Sequence, residues 1–114
     1  MIRVFGIRHC DTMKRAFAWL AANGVAYEFV DYRQPGVAEA NLPNWNRRLG
    51  WQALLNTRGT SWRKLSAAER ADVGEQQALQ LMAQYPTLIK RPLLDSGDRL
   101  LVGFAADDYA TLLS

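Results

Sequence analysis

The order strand, helix, strand within the first 32 residues constrains the fold more than any other feature of this chain. Residues 1–7 carry the β-branched and aromatic side chains typical of a strand. Residues 26–32 repeat that pattern, and Pro35-Gly36 ends it. A helical crossover between two such strands joins them in parallel, so the sequence predicts a βαβ unit at the start of the chain.

The crossover helix is delimited by turn and capping residues. Asp11 or Thr12 is expected to cap its first turn, and Asn23-Gly24 is expected to end it. The helix has an apolar stripe with the spacing of one buried face, formed by Met13, Ala16, Phe17, Leu20 and Ala21.

No strand pattern is found between residues 37 and 90, where the sequence instead predicts several short helices. Ser66 and Glu69 have the spacing of a capping box, in which each side chain accepts a hydrogen bond from the other residue's backbone N–H. The predicted helices cover residues 42–49, 61–65, 66–73 and 75–84.

The last part of the chain predicts a hairpin and a helix. Residues 92–95 and 100–102 form two strand patterns separated by a turn at 96–98. Residues 105–113 predict a final helix with an inward face formed by Tyr109, Leu112 and Leu113.

The whole order is βαβ, then a helical insertion over about residues 37–90, then ββα. This order is that of an α/β protein with a thioredoxin-like fold, although composition and periodicity equally allow a generic α/β sandwich. The chain has 114 residues, of which 49% are hydrophobic and 22% charged, so we expect one domain spanning residues 1–114.

The cysteine content and the N-terminus predict a cytoplasmic location. One cysteine cannot form an internal disulfide, which argues against a small secreted scaffold. Arg3, Arg8 and His9 interrupt the first ten residues, so no signal peptide or membrane span is expected there. The formal charge of +3 comes without a long basic run, and we expect neither nucleic-acid nor membrane binding.

Cys10 is the candidate reactive residue. It lies between the first strand and the first helix, where unpaired backbone N–H groups and the positive end of the helix dipole favour a thiolate. Arg8 and His9 are adjacent, and neighbouring cations lower the pKa of a cysteine further. The alternative is a buried structural cysteine, which is the more frequent role of a single cysteine.

A dithiol redox motif would place its second cysteine at position 13, where this chain has Met13. Cys10 is therefore a monothiol, and it cannot resolve its own mixed disulfide. A catalytic cycle would need an external thiol such as glutathione. No tightly bound cofactor is expected, and no structural metal is expected because one Cys and one His supply too few ligands.

Arginine exceeds lysine by 11 to 3, and the guanidinium group suits bidentate binding of carboxylates and oxyanions. A compositional bias of the genome is the competing explanation.

The four tryptophans raise a separate alternative, a stacking platform for nucleic acid. Packing of the helical insertion explains them better, and two of them are expected to line a cleft near Arg58: Trp51 and Trp62.

Three segments together resemble the glutaredoxin-type arsenate reductase family, which includes the Spx regulators and a branch called YffB. They are residues 7–16 around Cys10, residues 54–65 in the helical insertion and residues 88–94 before the hairpin. The resemblance implies a thioredoxin-like fold with a helical insertion, and it implies that Pro92 is in the cis form and faces the cysteine loop.

The resemblance also implies site residues. Cys10 matches the nucleophile, Arg58 and Arg91 match two oxyanion-binding arginines, and His9 lies where a thiolate-stabilising histidine is found. A third arginine is missing, since residues 102–105 contain none. Losing one charge-assisted contact costs an oxyanion roughly 1.5 to 3 kcal/mol, which makes arsenate a poor candidate substrate.

Glutathione is therefore the preferred ligand of Arg58, Arg91 and Pro92, with the cis-proline edge pairing to the peptide backbone. This predicts a monomeric, glutathione-dependent thiol reductase that acts on a disulfide or small oxyanion, with glutaredoxin as a further partner. Two alternatives stay open: an Spx-like regulator that binds the RNA polymerase α subunit, and an arsenate reductase.

Overall fold

The computed structural model describes residues 1–113 and has a four-stranded sheet in the order β2-β1-β3-β4. β1 pairs in parallel with β2, whereas β3 is antiparallel to both β1 and β4. The strands are β1 (Ile2–Gly6), β2 (Tyr27–Asp31), β3 (Leu93–Asp95) and β4 (Leu100–Val102). The predicted βαβ opening and the C-terminal hairpin are confirmed.

Seven α-helices are described, and none of those within residues 1–113 combines the length and apolar character needed to span a membrane. They are α1 (Asp11–Ala22), α2 (Val37–Leu49), α3 (Trp51–Leu54), α4 (Thr60–Arg63), α5 (Ala67–Arg70), α6 (Glu75–Gln84) and α7 (Ala106–Ala110). Two 3₁₀ turns, Pro86–Leu88 and Thr111–Leu113, follow α6 and α7.

The chain forms two compact units. One consists of Met1–Tyr32 and Arg91–Ser114 and contains the sheet; the other is Arg33–Lys90 and contains α2 to α6. The expectation of a single domain with an insertion over about residues 37–90 stays a prediction.

The first unit is held by a core on one face of its sheet. α1 contributes three fully buried side chains at the predicted spacing, and the two large ones, Met13 and Leu20, each stabilise the fold by roughly 1.5 to 3 kcal/mol. Phe17 packs on this core, and its ring stacks on Tyr27 with 5.4 Å between centroids. The core residues are Val4, Met13, Ala16, Leu20, Leu94 and Tyr109.

The second unit packs α2 against α3 and α6, with Leu42, Trp45, Leu54 and Met82 buried. A single antiparallel bridge joins Leu55 to Ile89. The predicted capping box of α5 is present, since Glu69 N donates to Ser66 Oγ over 3.1 Å and Ser66 N donates to Glu69 Oε1 over 2.9 Å.

Several boundaries differ from the sequence predictions. α2 begins at Val37 rather than at residue 42, so Pro43 lies inside the helix instead of in its first turn, where proline is most frequent. The N-cap of α1 is Cys10 rather than Asp11 or Thr12. Tyr109 is buried as expected, but Leu113 is 55% exposed because α7 gives way to a 3₁₀ turn that rotates the last residues.

Candidate functional site

The topology of the first unit brings three separate chain segments to one edge of its sheet. Cys10 follows β1 and Tyr32 follows β2, and these parallel strands end at the same edge. Arg91 precedes β3, whose antiparallel pairing sets its beginning beside the end of β1. Tyr32 N donates to Gly6 O over 3.2 Å and fixes this corner. The sheet thus positions a thiol, a phenol and a guanidinium together.

Cys10 is the N-cap of α1 and has extended backbone angles of φ −143° and ψ 138°. Its carbonyl accepts the first helical hydrogen bond, from Lys14 N at 2.9 Å, and its side chain is half-buried. The backbone N–H groups of the first helical turn have no intrahelical acceptors, so the positive end of the helix faces the residue that carries the sulfur.

Opposing influences act on the pKa of the Cys10 thiol. Burial raises this pKa, but the backbone amides of Met13 and Thr12 and the Arg91 guanidinium together lower it more. The net result is a pKa below the ordinary value of 9.0. Since the thiolate is the nucleophilic form of cysteine, this environment favours reactivity.

Arg91 connects Cys10 to Tyr32. Its Nη1 donates a hydrogen bond to the Tyr32 hydroxyl at 3.2 Å, and its guanidinium also interacts with the Cys10 thiol through hydrogen bonding and charge. Burial lowers the pKa of Arg91, but these two contacts raise it more, so the group keeps its charge. The peptide bond between Arg91 and Pro92 is cis, as the family resemblance implies.

Tyr32 is fully buried. Burial raises the pKa of its phenol, and the Arg91 guanidinium offsets only part of this effect. The hydroxyl is therefore neutral near pH 7. A neutral acceptor holds the guanidinium in place without cancelling its positive charge, which remains available to the thiolate.

Gly6 ends β1 at this corner, and a side chain there would collide with its neighbours. An added Cβ would lie 2.6 Å from Met13 Sδ and 3.3 Å from Arg91 Cβ. The absence of a side chain lets Met13 and Arg91 approach the strand closely.

Arg8 and His9 are both exposed. The Arg8 guanidinium carbon lies 4.4 Å from the centroid of the Phe29 ring, in a cation–π contact. The identified contributions that lower the Cys10 pKa come from Met13, Thr12 and Arg91. A thiolate-stabilising role for Arg8 and His9 stays a prediction.

Arg58 belongs to the second unit, where it lines a groove of about 550 Å³. Its backbone N–H donates to Asn56 Oδ1 over 3.0 Å, and its carbonyl accepts from Arg63 Nη1 over 2.8 Å, which fixes the loop that carries it. Trp51 lines the groove as predicted, whereas Trp62 is not among its lining residues, which are Trp51, Gln52, Leu55, Asn56, Thr57, Arg58 and Lys90. Anion binding by Arg58 stays a prediction.

Pro92 is buried, and its carbonyl accepts a hydrogen bond from Gly103 N over 2.9 Å. Gly103, which follows β4, has a left-handed φ of 76° that glycine adopts readily.

Within residues 1–113, no three His, Cys, Asp or Glu side chains come together to hold a metal ion.

Sequence reasoning missed Tyr32 and Gly6. Tyr32 was assigned only to the end of a strand, and its contact with Arg91 joins residues 59 positions apart. Gly6 carried a usable signal, because a glycine at the end of a strand indicates a close backbone approach.

Comparison with known proteins identifies the family of this chain. The sequence profile of the ArsC family matches residues 5–112. An uncharacterized protein of Haemophilus influenzae is 38% identical over 109 residues, with 96% of each chain covered. The global transcriptional regulator Spx of Streptococcus pneumoniae is 24% identical, over 99% of this chain and 86% of its own.

Among solved structures, a protein named YffB superposes with a TM-score of 0.93 at 46% identity, and the match covers 100% of both chains. The fold is therefore the thioredoxin-like fold of that family. With a profile match over nearly the whole length and this structural likeness, the chain belongs to the ArsC family as a YffB-like member.

Proposed function

We propose that this chain is a glutathione-dependent monothiol reductase in which Cys10 is the nucleophile. Membership of the ArsC family supports a thiol-based oxidoreductase role. The observation that carries the finer proposal is the environment of Cys10, where the amides of Met13 and Thr12 and the Arg91 guanidinium lower the pKa of the thiol despite its partial burial.

The proposed cycle has two thiol–disulfide exchanges. The Cys10 thiolate attacks a mixed disulfide between substrate and glutathione, forms a bond to the glutathione sulfur and releases the substrate as a thiolate. A second glutathione thiolate then attacks the Cys10–glutathione disulfide, which frees Cys10 and yields glutathione disulfide. The net reaction consumes one reduced glutathione for each mixed disulfide and yields the free substrate thiol and one glutathione disulfide.

The position after Cys10-Asp11-Thr12 favours this monothiol cycle. Met13 occupies the place of a resolving cysteine, and it is fully buried in the core of the first unit. Since Cys10 is the one cysteine of the chain, an external thiol must resolve the mixed disulfide. Arg58, Arg91 and Pro92 are proposed to bind the carboxylates and backbone of glutathione.

Intact-mass spectrometry after incubation with glutathione disulfide tests the proposal. We expect one glutathione adduct on the wild-type chain, its removal by reduced glutathione, and no adduct on Cys10→Ser. Turnover of a glutathione mixed disulfide, followed with glutathione reductase and NADPH, should be lost in the same variant. A wild-type chain that forms no adduct would rule the proposed cycle out.

The proposed role of Arg58 has its own test. Arg58→Met removes one charge-assisted contact to a carboxylate, worth roughly 1.5 to 3 kcal/mol, so the KM for glutathione should rise about tenfold or more. Arg70→Met is the matched control, because Arg70 is an exposed arginine of the same unit that lies outside the groove. Equal KM values for the two variants would show that Arg58 does not bind glutathione.

A second candidate function is that of an Spx-type regulator, favoured by the 24% identity to the Streptococcus pneumoniae protein over 99% of this chain. Its partner would be the RNA polymerase α subunit. A pull-down with the purified α subunit distinguishes this function from the reductase, because the contact should persist in Cys10→Ser. Absence of the contact at micromolar concentrations argues against it.

Arsenate reduction is a third candidate, and the missing third arginine disfavours it. A coupled assay with arsenate, glutathione and glutaredoxin tests it directly. Turnover that depends on Cys10 would establish the activity, and no turnover at saturating glutathione would exclude it.

A further inference from the structure

We infer that Tyr32 is a positioning residue for the thiol chemistry: its buried hydroxyl holds the Arg91 guanidinium against the sulfur of Cys10. The inference rests on the proposed function of Cys10 as the nucleophile. It adds a residue that matched none of the three segments carrying the family resemblance, since Tyr32 lies outside residues 7–16, 54–65 and 88–94.

The first step of the argument is the geometry of the contact. Arg91 Nη1 donates to the Tyr32 hydroxyl at 3.2 Å, and the same guanidinium lowers the pKa of the Cys10 thiol through hydrogen bonding and charge. Arg91 therefore bridges two side chains that belong to the ends of two neighbouring parallel strands. Removing the phenolic oxygen deletes one of the contacts that orient the guanidinium and leaves the thiol itself untouched.

The second step concerns rigidity. An arginine side chain has many rotamers, so a guanidinium without a fixed partner occupies many positions. Tyr32 is a fixed partner: its side chain is fully buried, and its backbone N–H donates to Gly6 O at the end of β1. The phenol is fixed to the sheet, and its hydrogen bond restricts the Arg91 side chain, which is itself only half-buried.

The third step concerns charge. A carboxylate in the place of Tyr32 would bind the guanidinium more strongly but would neutralise the charge that stabilises the thiolate. Tyr32 stays neutral because burial raises the pKa of its phenol. The charged groups that face it are Arg91, Cys10 in its thiolate form and Asp31. A neutral acceptor orients the cation and leaves its attraction for the thiolate intact.

Tyr32→Phe tests the inference, with Tyr109→Phe as a matched control. Tyr109 is also fully buried in the first unit, and its hydroxyl has no hydrogen-bond partner among the described residues. We expect the rate of Cys10 alkylation by iodoacetamide at pH 6 to fall about threefold to tenfold in Tyr32→Phe, the effect of one hydrogen bond. In Tyr109→Phe the rate should be unchanged.

A double-mutant cycle separates positioning from a general structural effect. If Tyr32 acts through Arg91, then Tyr32→Phe should change the alkylation rate of an Arg91→Met chain by less than twofold. Circular dichroism checks that each variant is folded. An equal rate in Tyr32→Phe and wild type, or an equal loss in both backgrounds, would overturn the inference.

The wild-type chain provides a measurement that does not depend on the folding of any variant. In the ¹⁵N-labelled protein at low temperature, a guanidinium restricted by Tyr32 and Cys10 should rotate slowly and give separate NMR signals for the two Nη atoms of Arg91. One averaged signal would contradict the inference. The alkylation rates and the Arg91 signals are measured without glutathione, so they test the role of Tyr32 alone. Failure of the reductase proposal would instead appear as a missing glutathione adduct on the wild-type chain.

Discussion

The unit formed by Met1–Tyr32 and Arg91–Ser114 is built around a sheet, whereas the unit Arg33–Lys90 is built from short helices. In the first, long-range strand pairing fixes the positions of Cys10, Tyr32 and Arg91. In the second, local features such as the capping box at Ser66 organise each helix, and Arg58 stays exposed on a loop.

This difference indicates how each unit is suited to its proposed task. A thiolate needs a fixed electrostatic environment, and groups anchored to strand ends supply one. A groove lined largely by loop residues, such as the one that contains Arg58, is suited to binding. Substitution of the groups around Cys10 in the first unit should therefore alter the reactivity of its thiol, whereas substitutions in the second unit should alter ligand binding or stability alone.

The largest effect is expected for Arg91→Met, which removes a guanidinium that lowers the pKa of the Cys10 thiol. A hydrogen bond to a charged group is worth roughly 1.5 to 3 kcal/mol, so alkylation of Cys10 at pH 6 should slow by about tenfold to a hundredfold. Arg99→Met, an exposed arginine of the same unit, is the control and should react like wild type. Equal rates for the two variants would refute the role of Arg91.

Next in size is Gly6→Ala, in which the new Cβ would overlap Met13 Sδ at 2.6 Å. Overpacking of this kind costs roughly 1 to 3 kcal/mol of unfolding free energy, measured by urea titration. Gly74→Ala in the second unit is the comparison: nothing lies within 4 Å of its Cβ, so its cost should stay below about 1 kcal/mol. A Gly6→Ala chain as stable as wild type would show that this corner is not tightly packed.

The fold was largely predictable because its signals are local. Alternating apolar residues, the Asn23-Gly24 stop and the hairpin turn at 96–98 each specify structure within a few residues, and all three are found. The start of α2 was predicted wrongly, since the helix begins at Val37, five residues before the predicted start, and Pro43 lies inside it.

The site was less predictable than the fold. The sequence singled out Cys10 and Arg91, but it did not predict that Arg91 contacts Tyr32. The contact of Arg91 with Tyr32 depends on strand order, which places the start of β3 beside the end of β1. No local pattern encodes such a contact between distant residues.

A smaller effect is expected for Ser66→Ala, which deletes the capping-box acceptor for Glu69 N. Loss of an N-cap side chain costs about 1 kcal/mol of unfolding free energy. Glu69→Gln keeps an oxygen that accepts from Ser66 N and should cost less. The alkylation profile of Cys10 should be the same in both variants, and a change in it would show that the two units are coupled.

The smallest effect is the pH dependence of stability that Cys10 contributes. The pKa of the thiol is lower in the folded chain than its ordinary value of 9.0, so the unfolded chain binds more protons between these two values. The thiolate therefore stabilises the fold above the ordinary pKa, and this contribution is lost as the pH falls through the folded value. Urea titrations of wild type and Cys10→Ser at pH 6 and pH 9.5 should show wild type gaining stability at the higher pH, relative to the variant. A constant difference would contradict this.

The most direct test of the central claim, that the fold makes Cys10 a thiolate nucleophile, is the pH profile of its alkylation in the native chain and in urea. Because the chain has one cysteine, every modified molecule reports on Cys10. We predict that the midpoint for the native chain lies below the midpoint in urea. A native midpoint equal to or above that of the unfolded chain would show that burial outweighs the amides and Arg91, and would contradict the account.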